Sequence, residues 1–220
     1  MKVTFFGHAC FLLESGGDSL IFDPFLKGNS LAPVTPEDVR ANYILVSHFH
    51  GDHFGDTEAI ARKNDATIIS SAEIAGYCLD KGLKAHKMHI GGKHGFDFGW
   101  VKLTQAFHGA GIPGGLACGF VVNLEGKNVY FAGDTGLFGD MALIGEENLD
   151  LALLPIGDNF TMGAEDALKA AKMLKASTVI PMHYNTWPLV KADPEQFCQA
   201  VERVTGSKAL VLPPGNSHVF

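Results

Sequence analysis

The sequence predicts an α/β fold, and three observations carry that prediction. Short apolar runs, each of strand length, recur along all 220 residues. Glycine, at 26 residues, gathers between those runs, at Gly16-Gly17, Gly91-Gly92, Gly109 to Gly115 and Gly133-Asp134-Thr135-Gly136; such groups read as loops between many strands. Helical segments interleave with the runs instead of forming a block of their own.

In chain order, Lys2–Phe6, Cys10–Glu14 and Ser19–Asp23 read as strands. Tyr43–Ser47 comes next, opening on the apolar run Tyr43-Ile44-Leu45-Val46 of a buried strand. A short helix is expected at Thr57–Lys63, a strand at Thr67–Ser70, and a helix at Ala72–Lys81 closed by Gly82. Four strands come after it, at Trp100–Ala106, Ala117–Leu124, Asn128–Ala132 and Leu151–Ile156. The helix Ala164–Ala176 carries an apolar face at Leu168, Ala171 and Leu174. After a strand at Thr178–Pro181 comes the best-marked helix, Pro194–Thr205. Asp193 is its N-cap, Pro194 its first residue, Gln196 completes a capping box and Gly206 is the stop. Its buried face is expected at Phe197, Val201 and Val204. Lys208–Leu212 is the last strand.

A weak internal echo runs at about half the chain length. Leu20-Ile21-Phe22-Asp23 resembles Val129-Tyr130-Phe131-Ala132-Gly133-Asp134. Tyr43–Ser47 resembles Leu151–Pro155, and Ala66–Ser70 resembles Ser177–Pro181. Chance similarity between β-rich segments accounts for this equally well. The sharper reading is two similar β/α halves facing each other, helices outside both sheets, with matching strand ends on one edge. No linker divides the chain, so one domain over 1–220 is expected.

The net charge of -7, from 17 Lys+Arg against 24 Asp+Glu, leaves no basic field for nucleic acid or an anionic membrane. No apolar stretch of about 18 residues is present to span a bilayer. The start, Met-Lys-Val-Thr-Phe-Phe-Gly-His, reads as a first strand and not a signal peptide. Four scattered cysteines, Cys10, Cys78, Cys118 and Cys198, suit buried thiols in a reducing compartment. A cytoplasmic location is the expectation.

The chemistry concentrates at His48-x-His50-x-Asp52-His53, directly after a strand. Four ionisable groups in one exit loop repel, compete for protons and lose solvation unless a cation sits among them. Imidazole and carboxylate donors suit zinc and its first-row neighbours. Three further candidates also come after strand-like runs: His108, Asp134 and His183. Each alone has a mundane reading, as a half-buried histidine or a turn aspartate. Their joint placement is harder to obtain by accident.

This pattern resembles the metallo-β-lactamase superfamily over almost the whole chain. The resemblance implies a four-layer αββα sandwich with a two-metal centre at one edge of the sheets. It implies that His48, His50 and His108 hold the first metal, that Asp52, His53 and His183 hold the second, and that Asp134 bridges them. Asp23, in Phe22-Asp23-Pro24, then supports the histidine loop from behind. Gly7-His8-Ala9-Cys10-Phe11, Phe22-Asp23-Pro24-Phe25 and Gly133-Asp134-Thr135-Gly136-Leu137-Phe138 are similar to a small bacterial and archaeal group of metal-dependent hydrolases, related to ascorbate-6-phosphate lactonases.

The reaction implied by such a centre is hydrolysis of a small ester, lactone, amide or phosphodiester by a metal-bound hydroxide. Two Zn2+ are the expected ions, with Mn2+, Fe2+ or Ni2+ as alternatives, and Asp52 is the proton acceptor. The expected partner is a small molecule, with neither nucleic acid nor membrane; a homo-oligomer is left open. Weaker candidates are His8, facing the metals or merely packed, and Asn159, lining the pocket or capping the next helix. Phe160, Met162 and a Gly109–Gly115 flap are expected to wall the site. Tyr184 and Asn185 flank His183 as further supports. His86, His89, His94 and His218 show no ligand spacing. The rival readings are a nuclease, a thioester hydrolase of the glyoxalase II type, a diiron redox protein and a non-catalytic metal-binding domain. The low basic charge speaks against the first, and the full ligand set against the last.

Overall fold

A computed structural model describes residues 1–220. Fourteen strands form two seven-stranded sheets. The first holds β1 (Lys2–Phe5), β2 (Phe11–Ser15), β3 (Asp18–Phe22), β4 (Tyr43–Leu45), β5 (Thr67–Ser71), β6 (Ala85–Met88) and, next to β1, β14 (Ser217–Val219). The second holds β7 (Lys93–Phe96), β8 (Gly99–Gln105), β9 (Cys118–Leu124), β10 (Lys127–Phe131), β11 (Leu151–Pro155), β12 (Thr178–Met182) and β13 (Lys208–Ala209). The helices are α1 (Gly51–Phe54), α2 (Thr57–Asn64), α3 (Ala72–Asp80), α4 (Met141–Gly145), α5 (Ala164–Leu174) and α6 (Pro194–Thr205), with a 3-10 turn at Pro188–Val190.

The half-chain echo is structural. In the first sheet Leu20 pairs with Tyr43 and Tyr43 with Thr67; in the second Val129 pairs with Leu151 and Leu151 with Thr178. The echoing segments occupy corresponding strands in the same register. Each sheet is antiparallel at one side (β1-β2-β3, β8-β9-β10) and parallel at the other (β3 to β6, β10 to β13). These pairings make β1, β3 and β4 run the same way, and likewise β8, β10 and β12. Their C-terminal ends share an edge, where an α/β scaffold presents its chemistry.

Alternation places the core on both sides of the first sheet. Phe11, Leu13, Leu20, Phe22, Leu45 and Ile69 face inward, in the larger apolar cluster shared with the second sheet. Their neighbours Leu12, Ile21, Ile44 and Ile68 face outward and pack with Ile60 of α2 and Ile74 and Cys78 of α3. Period-two alternation with both faces buried explains why these strands read as unbroken apolar runs. Phe22 stacks on Phe131 at 4.8 Å between ring centroids, joining the sheets at their middle.

Every predicted strand forms, with ends shifted by a few residues at most. Helix α6 forms over the expected residues, with Asp193 accepting from the Gln196 amide at 3.0 Å; the reciprocal bond of the capping box, from the Gln196 side chain to the Asp193 amide, does not form. Its buried face is Phe197, Cys198 and Val201, while Val204 is exposed. In α5 the small residues Ala167 and Ala170 pack deepest, with Ala171 and Leu174; Leu168 is only partly buried. Unpredicted are β6, β7 and β14, α4, and the single-turn α1. No helix is long and apolar enough to cross a membrane.

Candidate metal centre

The shared edge gathers His8 after β1, Asp23 after β3, His48 to His53 after β4, His108 after β8, Asp134 after β10 and His183 after β12. Three of these carry a positive φ: His8 (57°), Asp23 (38°) and His183 (54°). Such backbone costs non-glycine residues roughly 1–3 kcal/mol and persists where surrounding contacts over-determine it, often at functional sites. Gly133, at φ 61°, supplies the turn before Asp134. A Cβ there would stand 2.8 Å from the Cys118 carbonyl and 3.0 Å from the Ser47 Cβ.

Two subsites are visible. In one, His48 Nε2 lies 3.0 Å from His50 Nδ1, and His108 Nε2 lies 3.3 Å from the same atom. Two donors each bound to a tetrahedral zinc are about 3.3 Å apart, so this spacing suits one ion. In the other, Asp134 Oδ2 lies 3.1 Å from His183 Nε2 and 3.3 Å from His53 Nε2, while Asp52 Oδ2 lies 3.7 Å from His53 Nε2. Asp134 Oδ2 also reaches within 3.6 Å of His108 Nε2, so it stands between the two subsites.

Asp23 holds the histidine loop from behind. It is fully buried and accepts from the Ser47 amide at 2.7 Å, the Ser47 hydroxyl at 2.5 Å and His53 Nδ1 at 2.7 Å. Ser47 Oγ is also 2.9 Å from His48 Nδ1. With Nδ1–H given to Asp23, His53 turns Nε2 toward Asp134.

The electrostatics describe a site that wants a cation. Burial pushes the His48 imidazole well below its ordinary value, with His53 adding to the effect, so it is neutral and ready to donate a lone pair. Burial also lowers His108. For His53 burial acts downward, yet Asp134 and Asp23 outweigh it and raise this group well above the usual imidazole range. For Asp134 burial acts upward and is outweighed by His53 and His183, which hold the carboxyl well below its usual range. Burial would raise Asp52 too, but the His8 hydrogen bond and the charge of His53 hold it low. Asp134 Oδ1, His53 Nε2 and both ring nitrogens of His183 are buried without a hydrogen-bond partner. Orphaned imidazole nitrogens grouped around a buried carboxylate fit a divalent metal, which satisfies all of them at once.

All the principal sequence candidates therefore meet here, and His8 joins them, fully buried. Others do not. Asn159 is exposed and its side chain makes no hydrogen bond to the cluster, and helix α5 takes Gly163 as its N-cap instead. Met162 is 1% exposed and belongs to the core, so it does not wall the site. Tyr184 packs into the core, and Asn185 accepts from the Ala192 amide in its own loop. The expected flap does approach: a Cβ on Gly111 would lie 2.8 Å from His50 Cδ2. Sequence reasoning missed Ser47, Thr186 and Trp187. Ser47, between the strand and the first histidine, carried a positional signal; Thr186 and Trp187 carried none.

Residues 2–183 match the model of the β-lactamase superfamily domain. The chain is 57% identical over 218 residues to a UPF0173 metal-dependent hydrolase of Natranaerobius thermophilus, covering 99% of this chain and 98% of that protein. A Bacillus subtilis protein of the same description is 53% identical over 211 residues, covering 91% and 93%. Among solved structures, a metallo hydrolase from the archaeon Ignicoccus hospitalis superposes with a TM-score of 0.93 at 38% identity, covering 100% and 98%. A metallo-β-lactamase fold protein of Bacillus subtilis, at 14% identity and a TM-score of 0.76 over 99% and 98%, shows the fold alone. The chain thus belongs to the metallo-β-lactamase superfamily, among the UPF0173 metal-dependent hydrolases.

Proposed function

We propose that this hydrolase acts on a small ester, lactone or phosphodiester through two divalent ions. His48, His50 and His108 hold the first, Asp52, His53 and His183 the second, and Asp134 lies between them. Zn2+ suits the donors, with Mn2+, Fe2+ or Ni2+ as alternatives. Bound there, the ions supply Lewis-acid activation of water and of a substrate oxygen. The observation that carries the reading is the set of buried donor atoms around Asp134 that have no hydrogen-bond partner.

The residues divide the remaining work. Asp52 is the most accessible acid of the cluster, its side chain 28% exposed against 3% for Asp134. In this reading it takes a proton beside the incoming substrate. Asp23 and Ser47 hold the histidine loop in its ligating geometry. Phe107, next to His108, and Phe160, past the end of β11, are exposed large apolar side chains. Trp187 lies 4.9 Å from the His8 ring and is also exposed. A compact, partly apolar substrate suits this rim better than a polymer bearing one charge per nucleotide. Four buried free cysteines suit the cytoplasmic location that belongs to this reading.

The test is turnover of ester, lactone and small phosphodiester panels against single-stranded RNA at equal metal loading, for wild type and Asp52→Ala. Small-molecule turnover that collapses in Asp52→Ala is the expected result. Efficient, salt-sensitive RNA cleavage that disappears in His48→Ala would overturn the small-molecule reading in favour of a nuclease.

A further inference from the structure

We propose that His8 is a positioning residue for the second metal subsite, the one made by Asp52, His53 and His183; this rests on the two-metal reading above. His8 lies just past β1 in the turn Gly7-His8-Ala9 and is completely buried. Its backbone is left-handed, φ 57°, which a side chain bearing a Cβ adopts at a cost of roughly 1–2 kcal/mol. Contacts to three separate points of the chain offset that cost.

The His8 carbonyl accepts from the His183 amide at 2.7 Å, joining the first sheet's loop to the second sheet's ligand. Its ring Nε2 is 3.2 Å from Asp52 Oδ2, and its Nδ1 is 2.8 Å from Thr186 Oγ1. An ionised carboxylate only accepts, so Nε2 carries the hydrogen. Nδ1 is then the acceptor, and the Thr186 hydroxyl donates to it. The tautomer is set by partners on both sides. The ring also packs against His183, centroids 4.1 Å apart, and against Trp187.

His8 and His183 touch, yet they differ in the way that separates a support from a ligand. Both ring nitrogens of His8 are hydrogen-bonded, whereas both ring nitrogens of His183 are buried without a partner. His183 is the one with a lone pair free to donate. His8 spends its own on fixing Asp52, and through its carbonyl it fixes His183. Neither contact reaches His48, His50 or His108, so its removal should loosen one subsite and spare the other.

The experiment titrates the metal-free full chain with Zn2+ by calorimetry and by competition with a chromogenic chelator. Wild type should take up two ions. His8→Ala should weaken the second ion by about 10–100-fold, the usual effect of losing a group that orients a ligand, and leave the first unchanged. His8→Gln, whose amide N–H can reach Asp52, should recover part of the loss. Thr186→Val, which keeps His8 but frees its tautomer, should fall between wild type and His8→Ala. Equal binding of both ions by wild type and His8→Ala would overturn the proposal. So would equal weakening of both ions, or a His8→Gln no better than His8→Ala. If His8→Ala does not fold, Thr186→Val decides: unchanged second-ion affinity refutes the assignment. A wild type that binds fewer than two ions refutes the underlying two-metal reading instead, which keeps the two failures apart.

Discussion

The two halves of this molecule share a strand order and a register, yet they furnish the metal centre in opposite ways. The first half delivers its donors as one dense loop, His48 to His53, with Asp23 and Ser47 hydrogen-bonded behind it. The second half delivers single residues, His108, Asp134 and His183, one from each of three strand ends. Asp134 and His183 leave buried polar atoms unpartnered. His53 Nε2 is unpartnered too, so both sides await a metal. They differ in that the ring nitrogens of His48 and His53 facing away from the site are braced from behind, by Ser47 and Asp23, and those of the second half are not. Duplicated strands fix where a donor emerges, while the loop sequence decides whether it is held in place beforehand.

The largest expected effect breaks the braced side. Asp23→Ala removes the acceptor of three buried hydrogen bonds, one of them from the raised imidazole of His53. Stripping one partner from a buried ion pair costs about 3–5 kcal/mol, and chemical denaturation of the metal-free protein should show that loss. His183→Ala in the same assay should cost less, about 1–2 kcal/mol, since its buried ring gives up packing and the 3.1 Å contact to Asp134 but no hydrogen bond from behind. If the two variants destabilise the metal-free protein equally, the contrast between the halves is wrong.

Asp134→Ala attacks the other side. Orienting groups alone change metal affinity by about 10–100-fold, and Asp134 faces three imidazoles directly. Affinity for both ions should fall by at least about a hundredfold, with hydrolysis falling alongside. Metal content after dialysis is the measurement; two tightly retained ions in Asp134→Ala would remove this carboxylate from its place between the subsites.

How much of the molecule was legible in the sequence depends on what each element rests on. The interior strands announce themselves because β3, β4 and β5 bury both faces, so Leu20 to Phe22 and Ile44 to Val46 are continuous apolar runs. Strands β6, β7 and β14 lie at sheet edges and carry exposed residues such as Lys87, Lys93 and His94. Backbone pairing holds them, and pairing leaves no periodic signal. Helix α1 is one turn, Asp52 and His53 of the site with Phe54 alone packed on the outer apolar cluster, too short to show a helical period. The ligands were legible because they are chemically expensive where they stand. Ser47 and Thr186 are ordinary hydroxyl residues whose roles arise from distances to His48, Asp23 and His8 that only folding creates.

A third prediction concerns the proton that the His53–Asp134 pair holds. Asp134 and Asp23 raise His53 well above the ordinary imidazole value, so the metal-free subsite is protonated at neutral pH. The second ion must displace that proton. Binding at pH 7 should release close to one proton, and affinity should rise by about tenfold per pH unit until the raised value is passed. Calorimetry in two buffers of different ionisation enthalpy counts the proton directly. His48, pushed well below the ordinary value by burial, adds no comparable release of its own between pH 6 and 8 when the first ion binds. Equal release from both subsites would erase the electrostatic difference between the halves.

The smallest expected effect lies where the halves meet away from the metals. His86 stands on β6, an edge strand of the first sheet, and His94 on β7, an edge strand of the second. Their rings stack at 4.1 Å, with Phe96 beside both. Burial, and then the neighbouring His94, lower His86 below its ordinary value, so the His86 ring enters the stack uncharged at pH 7. No hydrogen bond or ion pair of either side chain holds this contact, and the sheets are already joined through Phe22 and Phe131. His86→Ala should therefore shift stability by no more than about 0.5 kcal/mol and leave the two-ion stoichiometry intact. A loss above about 1 kcal/mol by thermal denaturation, with metal content unchanged, would mean that the edge contact carries part of the seam between the sheets. The site's two-sided character would then have to be separated from a second junction that the shared apolar core does not supply.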